Sequence, residues 1–306
     1  MNQLNIMHHS FKICFVFVLL IFTLYSCKEE EPIEPILQKC NGSEILCDKK
    51  YDEVAYLTTH NAYNYSDEPG AYSLPNQTHS INQQLEDGVK AFMLDIYHPD
   101  EWLEEPAESI WLYHSLSLAG SKLFSEELAV FKEYLAANEN EVITFILETY
   151  VPFNLLKQSF EEAGLTPYLY PLHNENEEWP TLATMIENNQ RLVVLTESAD
   201  SNADDWYIDM WQVAVETHFS NNAQSDFNCD YNRGNAENSL FVLNHFITNP
   251  VLGIGEIDSA RFINQYNYLL NRIELCESET GKLPNYIAVD FYESGNSLDV
   301  VDFLNK

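Results

Sequence analysis

Along most of this chain, short apolar runs alternate with amphipathic stretches, the pattern of a parallel sheet covered by helices. The apolar runs predict strands at 53–58, 90–96, 109–114, 142–149, 191–197, 239–244 and 286–292. Helical spacing predicts helices at 80–87, 123–138, 153–164, 181–188, 205–217, 257–275 and 297–305, the first of them stopped by Gly88. Val142–Leu147 and Leu192–Leu195 are apolar on both faces, as buried parallel strands must be. From Cys40 to Lys306 there is neither a linker nor an internal repeat. That continuity favours a single-domain α/β protein, a TIM-like (β/α) barrel that is closed, distorted or incompletely closed, over two smaller domains. Ser198 to Glu237, rich in Asn, Asp and Ser and carrying Trp206 and Trp211, reads as a long irregular loop over one barrel face.

Barrel enzymes keep their chemistry at the carboxyl ends of their strands. VAYLTTHNAYNY (54–65) delivers His60 and Asn61 to such an end, AFMLDIY delivers Asp95 and Tyr97, and IWLYHS delivers His114. Glu148, Tyr150, Glu197, Asn244 and Asp290 end the remaining predicted strands. Two imidazoles with several carboxylates suit acid–base chemistry in which one ring takes a proton while the other gives one. Asp290 interrupts the apolar run YIAVDFY, where an unpaired charge would be costly, so its expected role is to hold a His in one tautomer. No Lys or Arg ends any of these strands. A phosphoryl transition state there would need positive charge from elsewhere, and Asn61, Asp95 and Glu148 form an all-oxygen ligand set for a divalent cation. The alternative is that these side chains only hydrogen-bond nearby amides. No HxxxH or HxH pair in the predicted barrel marks a zinc hydrolase.

Charge and the amino terminus narrow the picture further. Fifteen Lys and Arg against 48 Asp and Glu give a formal charge of −33, which excludes a broad basic footprint for nucleic acid and simple electrostatic docking on anionic membranes. Lys12 precedes an apolar run, Ile13–Tyr25, with the shape of a secretion signal. Its end, Leu24-Tyr25-Ser26-Cys27, resembles a bacterial lipobox, which would make Cys27 a lipidated first residue. The expected organisation is a signal peptide at 1–26, an anchor and tether with Pro32 and Pro35 at 27–39, and the barrel at 40–306. The expected location is a bacterial cell envelope, with the protein held to its outer membrane by its own lipid. Export leaves Cys40, Cys47, Cys229 and Cys276 in an oxidising compartment. A short Cys40–Cys47 loop disulfide is expected, with Cys229–Cys276 by elimination; a zinc site using all four is the alternative, although no CxxC pair occurs.

The stretches CNGSEILCDKKYDEVAYLTTHNAY, INQQLEDGVKAFMLDIY, IWLYHS, EVITFILETYV, WPTLATMIENNQRLVVLTE and NYIAVDFY, in this order, resemble the PLC-like phosphodiesterases, the superfamily of the phosphatidylinositol-specific phospholipase C X domain, and above all its secreted plant and microbial members. The resemblance runs from Cys40 to about Asp302. It implies a TIM-like barrel in which His60 is the general base that activates an inositol 2-hydroxyl and His114 the general acid that protonates the leaving oxygen. It also implies that Asp290 orients His60 and that Asn61, Asp95 and Glu148 stand at calcium-ligand positions. Two positions depart from the pattern. Calcium-free bacterial members carry an Arg at the end of the strand that here carries Asp95, and no Arg precedes Arg191. Calcium enzymes carry a Glu two positions before that Asp, where Met93 stands. The expected activity is phospholipase C-type cleavage of an inositol phospholipid or a related phosphodiester. The alternatives are a surface binding protein that has lost catalysis and a glycerophosphodiester or sphingomyelin phosphodiesterase.

Overall fold

The computed structural model describes residues 38–67, 74–103, 105–174, 176–249 and 255–306, all within one compact unit, Leu37–Lys306. The expected signal segment, the lipidation site Cys27 and all but the last two residues of the tether lie outside the described residues. The strands, in chain order, are β1 (Tyr56–Thr59), β2 (Ala91–Tyr97), β3 (Trp111–Leu112), β4 (Lys122–Leu123), β5 (Ile143–Thr149), β6 (Leu192–Thr196), β7 (Tyr207–Asp209), β8 (Ala214–Thr217), β9 (Tyr231–Gly234), β10 (Leu240–Asn244) and β11 (Tyr286–Val289). The helices are α1 (Ile81–Asp87), α2 (Phe124–Ala137), α3 (Phe153–Glu162), α4 (Leu182–Glu187), α5 (Met210–Val213), α6 (Ile257–Ile263), α7 (Tyr266–Thr280) and α8 (Ser297–Leu304).

The sheet runs β7-β6-β5-β2-β1-β11-β10-β8-β9. Every neighbouring pair from β7 to β8 is parallel, and β9 joins β8 antiparallel. Followed in chain order, the parallel strands go round the barrel and return from β11 to β1. The seam lies between β7 and β8, which are joined by the single turn α5 rather than by a ladder. The result is the expected mixed α/β, TIM-like barrel in an incompletely closed form, a single domain.

Side-chain alternation sorts the apolar residues into two layers. Leu57, Phe92, Leu94, Phe145, Leu147, Val194, Phe241 and Ile287 face outward and pack against helix residues such as Leu128, Phe131, Phe160 and Ile273. Tyr56, Ala91, Ile146, Val193, Leu195, Val242, Tyr286 and Ala288 fill the interior. The amino-terminal end of the barrel is stoppered by Tyr51, whose hydroxyl bonds Thr144 and Tyr286 and whose ring packs on Tyr56 and Trp179. Just before Tyr51, the loop closed by the Cys40–Cys47 disulfide buries Cys40 and Leu46 in the same interior layer. A second disulfide, Cys229–Cys276, ties the segment before β9 to α7.

Several expected elements are corrected. The stretch 205–217 is not a helix: it is β7, one turn and β8. Ala214 to Thr217 are buried at four consecutive positions, which a half-exposed helix cannot achieve, whereas a strand buried on both faces can. Asp209 ends β7 by accepting a hydrogen bond from the Trp211 amide, which starts α5. The segment 198–237 is therefore not merely a loop, because it supplies two barrel strands and β9. The expected strand 109–114 shrinks to a two-residue antiparallel edge. The expected helix 257–275 divides at Asn264, whose side chain donates to the Asp290 carbonyl instead of continuing on the surface.

Gly234 sits at φ +87° in β9, where an added Cβ would lie 2.1 Å from the Ala214 carbonyl oxygen. Gly234→Ala is therefore expected to peel β9 from β8 and to destabilise the protein by roughly 2–3 kcal/mol. Thermal unfolding checks this; a melting temperature equal to that of the wild type would contradict it.

Candidate active site

The interior alternation that fills the barrel also decides what faces its carboxyl-end mouth. Continued two residues at a time, Tyr56 and Thr58 lead to His60, Ala91 and Met93 to Asp95, and Thr144 and Ile146 to Glu148. Val193 and Leu195 likewise lead to Glu197, Ala214 to Glu216, Val242 to Asn244, and Tyr286 and Ala288 to Asp290. A cavity of about 490 Å³ opens over this layer, with Met93 and Ile146 among its lining.

Register then pairs the polar ends. Thr59 stands beside Val289 in the parallel β1–β11 ladder, so His60 and Asp290 emerge side by side. The His60 Nδ1 lies 2.8 Å from Asp290 Oδ1, and Asn76 Nδ2 donates to the same oxygen at 3.0 Å. Asp290 is buried, while His60 lines the cavity. With Nδ1 donating to the carboxylate, Nε2 is left with a lone pair for a substrate proton. Gln77 Nε2 bridges the His60 and Val289 carbonyls, fixing the ends of β1 and β11 together. Gly255 closes the site behind Asp290, where an added Cβ would come within 2.5 Å of Asp290 Oδ2.

Each of the three residues expected to act directly is followed by a residue in the left-handed region. Asn61 follows His60 at φ +46°, Ser115 follows His114 at +63°, and Phe291 follows Asp290 at +46°. At these three places the chain turns sharply away just after the side chain that faces the site. For Phe291 that conformation is strained, and the strain is held by packing.

His114, just after β3, stands at the exposed side of the cavity. Partial desolvation and then repulsion by His60 pull its pKa below the ordinary 6.5, while Glu148 pulls it up. Asp95 and Glu148 are register partners on β2 and β5. Asp95 is buried and accepts from the Tyr63 hydroxyl at 2.9 Å. Burial first, and then the Glu148 charge, push its pKa well above the usual carboxylate range. Glu148 accepts from the Tyr150 hydroxyl. Hydrogen bonding to that carboxylate is the main cause that pushes the Tyr150 phenol up to about 12.

Among the described residues, no three His, Cys, Asp or Glu side chains are grouped to hold a metal. The ligand set expected from the sequence is two carboxylates and the amide of Asn61. Its donors are all oxygens, and two repelling carboxylates side by side are what a hard divalent cation would relieve, so the donor chemistry fits such an ion.

Of the residues singled out from the sequence, His60, Asn61, Asp95, His114, Glu148, Tyr150 and Glu197 line one cavity. Asp290 lies directly behind His60. Tyr97 turns aside to stack between Tyr113 and Tyr150. Asn244 is wholly buried behind Glu216, to which it donates at 3.1 Å.

Sequence reasoning missed Arg233, Glu216, Asn76 and Phe246. Arg233 sits opposite Glu216 across the β8–β9 ladder and reaches the cavity wall. Its Nε donates to Glu216 and its two terminal nitrogens to Glu197 at 2.6 and 3.1 Å. Trp211 and Phe219 flank the guanidinium at 4.3 and 4.9 Å. The cation that no barrel strand carries at its end thus arrives from the antiparallel strand. Burial raises the Glu197 pKa and Arg233 opposes that rise. The available signal was that Arg233 is one of four arginines in the chain and precedes a glycine in a polar hairpin segment.

A parallel barrel with two imidazoles, one backed by a buried carboxylate, is the architecture of a phosphodiesterase-like fold. The family model described as PI-PLC X 1 matches residues 46–305, and the chain belongs to that family. Curated relatives include a PI-PLC X domain-containing protein of Arabidopsis thaliana, 27% identical over 88% of this chain and 65% of that protein. PI-PLC X domain-containing protein 1 of Arthroderma benhamiae is 25% identical over 87% of this chain and 89% of its own length. The chain thus spans just under two thirds of the plant protein.

In structure it is similar to the phosphatidylinositol-specific phospholipase C of Listeria monocytogenes, with a TM-score of 0.56 at 17% identity, covering 85% of this chain and 95% of that one. It is also similar to a variant of the Staphylococcus aureus enzyme, with a TM-score of 0.57 at 12% identity, covering 85% and 93%. These structural likenesses bear on the fold. The curated relatives also correct the expected location. They are plant and fungal proteins, one of the fungal ones named as an uncharacterized secreted protein, and not lipid-anchored proteins of a bacterial envelope.

An acid whose pKa is higher in the folded protein than in the unfolded chain destabilises the fold once pH exceeds its unfolded value of about 3.9. Asp95→Asn is therefore expected to raise the melting temperature at pH 7 by a few degrees, with the gain shrinking as pH falls towards 4. Melting curves across that range check the sign; a lowered melting temperature at pH 7 would contradict it.

Proposed function

We propose that this protein cleaves an inositol phospholipid, or a closely related phosphodiester, by the phospholipase C reaction. The observation that carries this reading is the His60–Asp290 pair facing the same cavity as His114. In the proposed reaction, His60 Nε2 removes the proton from a hydroxyl next to the phosphodiester on the head group, and that oxygen attacks phosphorus. The bond from phosphorus to the diacylglycerol oxygen breaks as His114 gives that oxygen a proton. One P–O bond forms, one breaks, and the products are a cyclic phosphodiester and a neutral alcohol. Asp290 holds the His60 ring in the tautomer that keeps Nε2 unprotonated and stabilises the imidazolium that forms.

Asn61, Asp95 and Glu148 would hold a divalent cation, calcium on the family resemblance. Bound there, such an ion would offset negative charge developing on the phosphate oxygens. The wall of Glu197, Glu216 and Arg233 suits the part of the head group that does not react. The carboxylates accept hydrogen bonds from hydroxyls, and Arg233 has one N–H on each terminal nitrogen beyond those given to Glu197. A polyhydroxylated ring offers the complementary donors and acceptors.

His60→Ala and His114→Ala are each expected to lower kcat by about 10²–10⁴-fold with the melting temperature little changed. Full turnover in either variant would rule out the mechanism. Turnover is expected to stop in chelator and to return with calcium; turnover that persists in chelator would remove the metal from the scheme.

The pH profile gives an independent check. A general acid must be protonated, so kcat/KM falls as pH rises through the free-enzyme pKa of His114, which lies below 6.5. His114→Ala should remove that alkaline limb from the residual turnover. An unmoved limb would assign it to another group.

A further inference from the structure

The face of the His60 ring is as closely held as its edge. Phe246 lies against it with ring centroids 3.8 Å apart and planes 2° from parallel. Phe246 is buried, belongs to the interior layer of the barrel and lines the cavity. A hydrogen bond from Nδ1 to Asp290 leaves the imidazole free to swing about that bond; a flat ring on its face removes this freedom.

Phe246 is itself anchored through its neighbours. The residue two before it, Asn244, gives its side-chain amide to Glu216 and Thr217, and its carbonyl accepts from Arg272 at 2.9 Å. The residue between them, His245, is fully buried and donates its backbone amide to Ala288 at 2.8 Å. Its Nδ1 lies 2.8 Å from Arg272, and its Nε2 lies 3.1 Å from the Ile263 carbonyl. Arg272 is a buried guanidinium held by these acceptors and by the face of Phe227 at 3.9 Å, and among the described residues no carboxylate pairs with it. Phe227 lies two residues before the cysteine that the Cys229–Cys276 disulfide fixes to the helix of Arg272. A buried cation without a counter-ion is costly to keep, and here its bonds go to the two residues that fix where Phe246 begins.

We infer that Phe246 is a positioning residue for the reaction: a flat shelf, held in place through Asn244 and His245 by Arg272, that fixes the plane of the His60 ring so that Nε2 stays aimed into the cavity. This deepens the proposed function, and its test has one arm that needs no turnover. Phe246→Leu keeps an apolar side chain but removes the flat face, and Phe246→Tyr restores it.

Phe246→Leu is expected to lower kcat by about tenfold or more with KM within about twofold, and Phe246→Tyr to recover most of the loss. In proton NMR, the low-field Nδ1–H signal of His60, identified by its loss in His60→Gln, is expected in the wild type and in Phe246→Tyr. In Phe246→Leu it is expected to disappear through exchange with water, while thermal unfolding shows the variant to be folded. Retention of both kcat and the Nδ1–H signal in Phe246→Leu would overturn the inference. So would an equal loss in both variants. If the wild type turns over no phosphodiester, the proposed function fails and the NMR signals alone decide the role of Phe246.

Discussion

Strand register is the constraint on which the site depends. Because side chains alternate at a period of two, slipping β1 by one residue against β11 would turn His60 towards the helices and put Thr59 or Asn61 in its place at the mouth. The same holds for β2 against β5, where Asp95 and Glu148 share a level. The aromatic stopper at the other end of the barrel, Tyr51 bonded to Thr144 and Tyr286, pins β5 and β11 at that level from below. Stability and chemistry are thus two ends of one alternating column of side chains: apolar in the middle, tyrosine at the floor, carboxylate and imidazole at the mouth.

Charge gives the cavity its second character. Asp95, Glu148, Glu197 and Glu216 all line it, and among the lining residues Arg233 is the cation. Such a pocket resists closing on itself because its carboxylates repel one another; at Asp95 the Glu148 charge adds to the rise in pKa that burial causes first. It favours a ligand that brings hydroxyl donors or positive charge with it. A polyol ring supplies the first and a divalent ion the second, and the two proposals are linked in this way. The unclosed seam between β7 and β8 belongs to the same region, since β8 carries Glu216 and β9 hangs Arg233 from its free edge.

Much of this was legible in the sequence, and the boundary has physical causes. His60, Asp95, His114, Glu148 and Asp290 could be placed because each ends an apolar run, where burying a polar side chain is costly unless it has a partner or a task. The barrel followed from the alternation of runs and amphipathic stretches. β7 and β8 were hidden because strands buried on both faces lack a period of two, and a short run of mixed aromatic and apolar residues reads equally well as a helix. Arg233 was hidden because it comes from an antiparallel strand outside the barrel's repeating unit. Asn76 and Phe246 were hidden because only the fold brings a loop residue to Asp290 and an apolar residue against an imidazole.

The most direct measurement is phosphorus NMR of phosphatidylinositol vesicles incubated with the protein in calcium. The predicted result is a cyclic inositol phosphodiester as the first product, absent when His60→Ala replaces the wild type. A phosphomonoester appearing first, with no cyclic species before it, would contradict attack by the head-group hydroxyl, and no turnover at all would contradict the phospholipase C reaction.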